Sequence, residues 1–183
     1  MTQRTPQYFR DEARRRLPSE KDRERLSQII CENALASNEF KSAPTVGMFY
    51  PRSWEVNLLG IWQGRKNVVL PKVVGSTLSF FAVTSLSELR PGYAKIPEPP
   101  ALQEYVWTSR DIILAPGAAF DTSGRRIGSG KGFYDRFLSS CPAKRWGVCF
   151  ECQIFEEPLA QNETDVRMGA LLTERGIRTF TVS

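Results

Sequence analysis

Apolar residues change rhythm along the chain. Between Tyr8 and Leu17, and again at Leu26, Ile29, Ile30, Ala34 and Leu35, they recur every three or four positions, the period of an amphipathic helix. Pro18 separates the two stretches, and Ser19 with Asp22 three residues later offers a capping box for the second. Beyond residue 44 the rhythm shortens into continuous or alternating apolar runs, rich in β-branched and aromatic residues, which read as strands. These runs are "TVGMFY", "NVVLPKVV", "TLSFFAV", "DIILAP", "WGVCFECQIF", "ALLTER" and "IRTFTV". Short helical stretches recur near Leu58 to Gln63 and from Tyr134 to Ser139.

Helical and strand-like segments alternate with no internal repeat, low-complexity tract or linker, which predicts one domain over residues 1–183. Its expected class is α/β: a three-layer α/β/α sandwich, Rossmann-like, with a mixed, mainly parallel sheet. A chain of 183 residues that is 41% hydrophobic and 25% charged can bury one sizeable core. It has no apolar run of the roughly 18 residues needed to span a bilayer, and its first 25 residues are too polar for a secretory signal. A cytoplasmic protein with no membrane partner is expected.

Four cysteines and no histidine narrow the chemistry further. Cys149 and Cys152 form a single C-x-x-C, where a structural zinc site needs four ligands. A redox C-x-x-C normally opens a helix, whereas this pair sits in a strand-like run. The expectation is four ordinary reduced thiols.

The net charge of +5 is concentrated in two places. Residues 1–25 carry eight Lys/Arg against five Asp/Glu, and residues 124–136 carry four against one. Two basic segments can converge on one polyanion, such as a nucleoside triphosphate, or form a nucleic-acid patch. The second segment contains "GSGKGFYDRFL" from Gly128, placed after the strand-like "DIILAP". In open α/β sheets ligands gather at the carboxyl ends of strands. The loop matches neither the Walker pattern nor G-x-G-x-x-G, because its glycines fall at 128, 130 and 132 and no Ser/Thr follows Lys131. Closely spaced glycines still let backbone N–H groups converge on an anion, a helix start adds partial positive charge, and Lys131, Arg125 and Arg126 add full charges. Asp135 in the helix's first turn could hold a Mg²⁺ that bridges phosphates, or simply compensate the helix dipole.

The stretch "PGAAFDTSGRRIGSGKGFYDRFL" resembles the signature of the 5-formyltetrahydrofolate cyclo-ligases, also called 5,10-methenyltetrahydrofolate synthetases. Supporting likenesses run along nearly the whole chain: the basic first helix, "MFYPRSWEV", "LPKV", "IPEP" and "NETDVRMGALLTERG". The resemblance implies ATP- and Mg²⁺-dependent closure of 5-formyltetrahydrofolate to 5,10-methenyltetrahydrofolate, with ATP as co-substrate, release of ADP and phosphate, and a phosphorylated formyl intermediate. It implies ATP binding by Arg126, Ile127, Gly128, Ser129, Gly130, Lys131, Gly132, Phe133 and Tyr134, with Lys131, Arg126 and Tyr134 serving the chemistry. Asp135 and Asp165 would lie near Mg²⁺, and Tyr50, Trp54 and Glu55 would contact the folate.

The basic residues of the first helix would be Arg10 and Arg14, or Arg4 and Tyr8 in a shifted register. The chain departs from the pattern at Phe133, where a tyrosine is usual, at Ala94 before "IPEP", and at Gly169. The partners implied are 5-formyltetrahydrofolate and ATP, with no nucleic acid, acting on a monomer. Two alternatives stay open: a nucleotide-dependent enzyme of the same fold acting on another small carboxylate, and a basic RNA-binding protein.

Overall fold

A computed structural model describes residues 4–63, 67–160 and 165–180. Helix α1 (Pro6–Arg16) is capped by Thr5, whose side chain accepts from the Tyr8 amide, and carries proline in its first turn. It ends before Pro18. Helix α2 (Glu20–Ala36) begins as the sequence suggests, with the Ser19 hydroxyl accepting from the Asp22 amide and Glu20 and Asp22 in the first turn. The short helices are α3 (Asn38–Ser42), α4 (Leu59–Gln63) and α5 (Phe133–Leu138).

Twelve strands follow in chain order among the described residues. They are β1 (Val46–Gly47), β2 (Val68–Val74), β3 (Thr77–Ala82), β4 (Arg90–Pro91), β5 (Pro97–Glu98), β6 (Ile112–Pro116), β7 (Ala119–Asp121), β8 (Arg126–Ile127), β9 (Lys144–Val148), β10 (Ile154–Phe155), β11 (Ala170–Thr173) and β12 (Gly176–Thr179). The main sheet has the order β12-β11-β9-β6-β1-β2-β3. Its inner pairings, from β11 to β2, are parallel, and only the edge strands β12 and β3 run antiparallel. This is the mixed, mainly parallel α/β sheet expected from the alternating pattern.

Side-chain alternation shows why the inner strands read as unbroken apolar runs. Ile112 and Leu114 enter the cluster that contains Ile30, Ala34 and Phe40 of α2 and α3, whereas Ile113 and Ala115 enter the cluster with Leu138 of α5. Val68 and Leu70 oppose Val69 in the same way, as do Ala170 and Leu172 opposite Leu171. A parallel sheet covered on both faces needs apolar residues at every position. A second, small sheet of order β10-β7-β8 lies against α1, with Phe9 and Ala13 of the helix packed on Ala119, Ile127 and Phe155.

One sequence expectation needs correction here. "WGVCFECQIF" is not one strand: β9 stops at Val148, residues Glu151–Gln153 form a 3₁₀ turn, and β10 resumes at Ile154. The Gln153 side chain enforces the break, accepting from the Phe150 amide and donating to the carbonyls of Gly117 and Ala118. The last two residues of "IRTFTV" and the "NET" of "NETDVRMGALLTERG" lie outside the described residues. Among the described residues no helix is long and apolar enough to cross a membrane.

The four cysteines are unpaired thiols. Burial pushes Cys149 well above its usual pKa and Cys152 up to about 11, the opposite of the low-pKa thiolate a redox pair requires.

Candidate active site

From β1 the chain passes outward to β2 and β3, then returns to pair β6 on the other side of β1. The carboxyl ends of β1 and β6 therefore diverge, which is the switch point where open α/β sheets bind ligands. β1 is only two residues long and opens the crevice further, since β2 runs on past it from Leu70 to Val74. A cleft of about 460 Å³ sits there, lined by Phe49 and Tyr50 after β1 and by Pro116 at the end of β6 with Gly117 and Ala118 after it. That is an ordinary size for a small-molecule site.

One wall of the cleft is cationic. Arg10, Arg14, Gly128, Ser129, Lys131 and Gly132 all line it. Arg10 ties α1 to the loop through Nε donating to the Gly128 carbonyl at 2.9 Å, and Arg14 lies over the Trp54 ring at 4.6 Å. The Lys131 ammonium is exposed and enters no ion pair among the described residues. The glycines are required by geometry: Gly130 and Gly132 take φ of +93° and +68°, in the left-handed region that disfavours side chains. The amides of Ser129 to Gly132 donate to no carbonyl among the described residues. α5 has only six residues, and its N-cap Gly132 offers no side-chain cap, so positive potential here comes from the loop amides and cations rather than from a long helix dipole.

The loop is held from behind. Asp121 is buried and accepts from the amides of Ser123, Arg125 and Leu159, which closes the turn from β7 into β8. Arg126 then lies at the floor with its side chain 3% exposed, donating from Nη1 to the Pro116 carbonyl at 3.0 Å and from Nη2 to Asp135 Oδ1 at 2.6 Å. A guanidinium so buried is chiefly a buttress for Asp135. Its Nε and the nearby Tyr134 hydroxyl are buried polar atoms with no partner, a costly state unless a ligand or water completes it.

The opposite wall carries carboxylates and apolar surface. Glu55 lines the cleft with Oε2 accepting from the Arg52 amide at 2.9 Å. Burial raises its pKa, against the smaller lowering effect of the Arg52 amide and charge. Burial also pushes the Tyr134 phenol up, and the Glu55 carboxylate adds to that effect while Arg126 opposes it. Glu55 and Tyr134 therefore lie near enough to interact, and both line the cleft.

The structure brings together Arg10, Arg14, Tyr50, Trp54, Glu55, Arg126, Gly128, Ser129, Lys131, Gly132, Phe133, Tyr134 and Asp135 on one cleft. Gly130 is not part of the lining but neighbours Arg10. Ile127 and Asp165 do not reach it: the Ile127 side chain is buried beneath α1 in the core of the small sheet, and Asp165 lies outside the lining. In the alternative register for the first helix, Arg4 instead pairs with Glu157, and Tyr8 is outside the lining. Residues not anticipated at the cleft include Tyr93, Glu98 and Gln153. The motif "IPEP" carries Glu98 and could have signalled it; Gln153 has no local signal.

Oxygen ligands for a metal are few. Among the described residues no three Asp, Glu, Cys or His side chains cluster as a metal site. Asp135 does line the cleft, and Arg126 engages its Oδ1. Mg²⁺ commonly takes one or two carboxylates and completes its shell with substrate phosphates and water, so this donor set fits Mg²⁺ carried in with a polyphosphate.

Fold and cleft together define an α/β protein with a ligand-sized cleft at the carboxyl edge of its sheet, lined by cations, loop amides and carboxylates. A family model for the 5-formyltetrahydrofolate cyclo-ligase family matches residues 8–174, and the chain belongs to that family. It is 28% identical over 172 residues to the 5-formyltetrahydrofolate cyclo-ligase of Escherichia coli K12, across 87% of this chain and 94% of that protein. The structure of Aquifex aeolicus 5,10-methenyltetrahydrofolate synthetase superposes with a TM-score of 0.84 at 32% identity, covering 97% of this chain and 94% of that one. A Mycoplasma pneumoniae 5,10-methenyltetrahydrofolate synthetase shares the fold, with a TM-score of 0.71 at 18% identity.

Proposed function

We propose that the cleft catalyses ATP-driven cyclisation of 5-formyltetrahydrofolate to 5,10-methenyltetrahydrofolate, releasing ADP and phosphate. The observation that carries this reading is the joining of two unlike walls in one cleft: glycine-loop amides with Lys131, Arg10 and Arg14 on one side, and Glu55 with Tyr50 on the other.

The chemistry follows from the substrate. A formyl amide oxygen leaves poorly, so the γ-phosphoryl group is transferred to it first. The neighbouring N10 then attacks the formyl carbon and loses its proton, and the C–O bond breaks to expel phosphate. No covalent protein nucleophile is needed. Phosphoryl transfer relies on positioning and charge neutralisation. The Ser129 to Gly132 amides and Lys131 are placed to hold the triphosphate. Arg126 keeps Asp135 oriented, and Asp135 would hold the Mg²⁺, which supplies further charge neutralisation.

At the other wall Glu55 suits the adjacent N–H donors of a pterin edge, two parallel hydrogen bonds to one carboxylate. Trp54 and Tyr50 offer ring surface beside it. The Tyr134 phenol remains protonated at neutral pH and can donate to a ligand oxygen. One chain supplies both walls, so the site needs no second copy to be complete, and the enzyme is read as a monomer acting in the cytoplasm.

The test is direct. Purified protein with 5-formyltetrahydrofolate, Mg²⁺ and ATP should develop the methenyl absorbance with one ADP released per product. A folded protein that does neither would refute the reading, and turnover of ATP with a different small carboxylate would redirect it.

A further inference from the structure

β4 and β5 pair as a small hairpin, Arg90 with Glu98 and Pro91 with Pro97, closed by a turn through Tyr93, Ala94 and Lys95. The turn is strained, because Ala94 and Lys95 hold φ of +52° and +63°, where non-glycine residues are disfavoured. Such a conformation persists only where the surroundings over-determine it. Here the surroundings are Glu98, whose side chain is 8% exposed. Its Oε1 accepts from the Tyr93 amide at 3.0 Å and from the Val73 amide at 3.3 Å, and Oε2 meets Lys72 Nζ at 3.4 Å.

Val73 lies where β2 has run past the end of β1. Glu98 thus takes the place of the missing neighbour strand and uses the same oxygen to hold the turn. The fit is close: a Cβ on Gly92 would stand 2.2 Å from the Glu98 carboxyl carbon. Tyr93, the first residue of the turn, rests edge-on against Phe133 with centroids 5.2 Å apart at 82°. Both rings line the cleft, together with Ile96 and Pro97.

We propose that Glu98 is a positioning residue that fixes Tyr93 against Phe133, and that this pair of rings determines how the cleft grips the aromatic part of its substrate. The proposal rests on the folate reading of the site. A flat, partly apolar ring system finds there two ring edges and an apolar wall, while the polyanion occupies the opposite wall. The Tyr93 backbone is fixed by Glu98, and only its ring reaches Phe133 at the end of the glycine loop, so its misplacement should weigh more on the aromatic substrate than on the polyphosphate.

Three variants test this. Glu98→Ala should raise KM for 5-formyltetrahydrofolate about 10- to 100-fold, the scale on which misplacing a binding group acts, while KM for ATP changes less than about 3-fold. Tyr93→Ala should act in the same direction, with the double variant no worse than the more damaging single one. Glu98→Gln retains the oxygen that both amides use and should recover most of the loss. Hydrogen exchange gives a reading independent of turnover: Glu98→Ala should speed exchange at the Tyr93 and Val73 amides and leave β6 and β9 unchanged. A uniform fall in activity with both KM values preserved would overturn the proposal in favour of a merely structural Glu98. Unchanged exchange at Tyr93 would also overturn it. Wild-type protein that converted no folate would instead fail the function proposed above, with the exchange result still deciding whether Glu98 holds the turn.

Discussion

Along the wall formed by α1 and residues 128–132, Lys131 is exposed and the loop amides donate to no carbonyl among the described residues, whereas along the wall of residues 50–55 and 92–98 the carboxylates of Glu55 and Glu98 accept from backbone amides. The first wall has donors with nothing to donate to. The second has few donors to spare and presents ring and apolar surface. An unsatisfied set of donors is arranged for a ligand rich in acceptors, and the Glu55 carboxylate, with one oxygen on a backbone amide and acceptor capacity left over, is arranged beside rings for a flat ligand with N–H groups. The difference also separates the kinds of damage expected, since the exposed Lys131 can be lost without harm to the fold, whereas Glu98 is bonded to two backbone amides.

The most severe loss should come from Asp135→Asn, which removes the charge proposed to hold Mg²⁺. Turnover should fall by about 100-fold or more, with the Mg²⁺ dependence of ATP binding weakened. The ion pair with buried Arg126 adds a structural cost of about 1–3 kcal/mol, because the guanidinium loses its charged partner. Thermal melting and Mg²⁺-dependent ATP titration of the same sample separate the two effects. Retention of wild-type Mg²⁺ dependence would remove the metal from Asp135.

Lys131→Ala should show the first wall's behaviour in pure form. The exposed ammonium holds nothing together, so stability should stay within about 0.5 kcal/mol. Loss of a charge-assisted contact should lower kcat/KM for ATP about 10- to 150-fold. A normal ATP dependence would reassign the lysine to solvent.

Glu55 sharpens the contrast through pH. Burial raises its folded-state pKa above the unfolded value, so the native state holds its proton more tightly. The associated stability is fully present below the ordinary glutamate pKa and is lost as pH rises through the raised one. Glu55→Gln removes this titration. The melting-temperature difference between wild type and variant should therefore move against the wild type as pH rises through that window, while folate affinity falls about 10-fold or more in the variant. A constant difference across the window would contradict the buried-acid description.

The smallest effect should be a gain. Lys95→Gly relieves a left-handed residue and should raise stability by about 0.5–1 kcal/mol, net of the entropy glycine adds to the unfolded chain. Chemical denaturation measures it. A loss of stability would show that the Lys95 side chain supports the turn.

These contrasts mark what the sequence could and could not disclose. Ser19 and Pro18 announced the junction of α1 and α2 because caps and proline act locally. The parallel strands were legible because burial on both faces leaves an unbroken apolar run. Most residues of the glycine loop were legible because they lie side by side in the chain. The Arg126–Asp135 pair was not, since neither spacing nor residue type says that the arginine is buried beneath the acid instead of facing solvent. Gln153 cut a strand-like run by bonding carbonyls 35 and 36 residues away. The turn at Ala94 and Lys95 holds left-handed backbone without the glycine that would have signalled it, because Glu98 supplies the restraint from outside the turn.

In the proposed reaction the two walls bring a phosphoryl group and a formyl oxygen together. The most direct measurement starts from 5-formyltetrahydrofolate carrying a heavy-oxygen label in its formyl group and follows the label through one round of ATP-driven turnover. Transfer of γ-phosphoryl to that oxygen, followed by C–O cleavage, places the label in the released inorganic phosphate. The expected result is one labelled oxygen per phosphate for each methenyl product formed. Methenyl product accompanied by unlabelled phosphate, with the heavy oxygen recovered in water, would contradict the account.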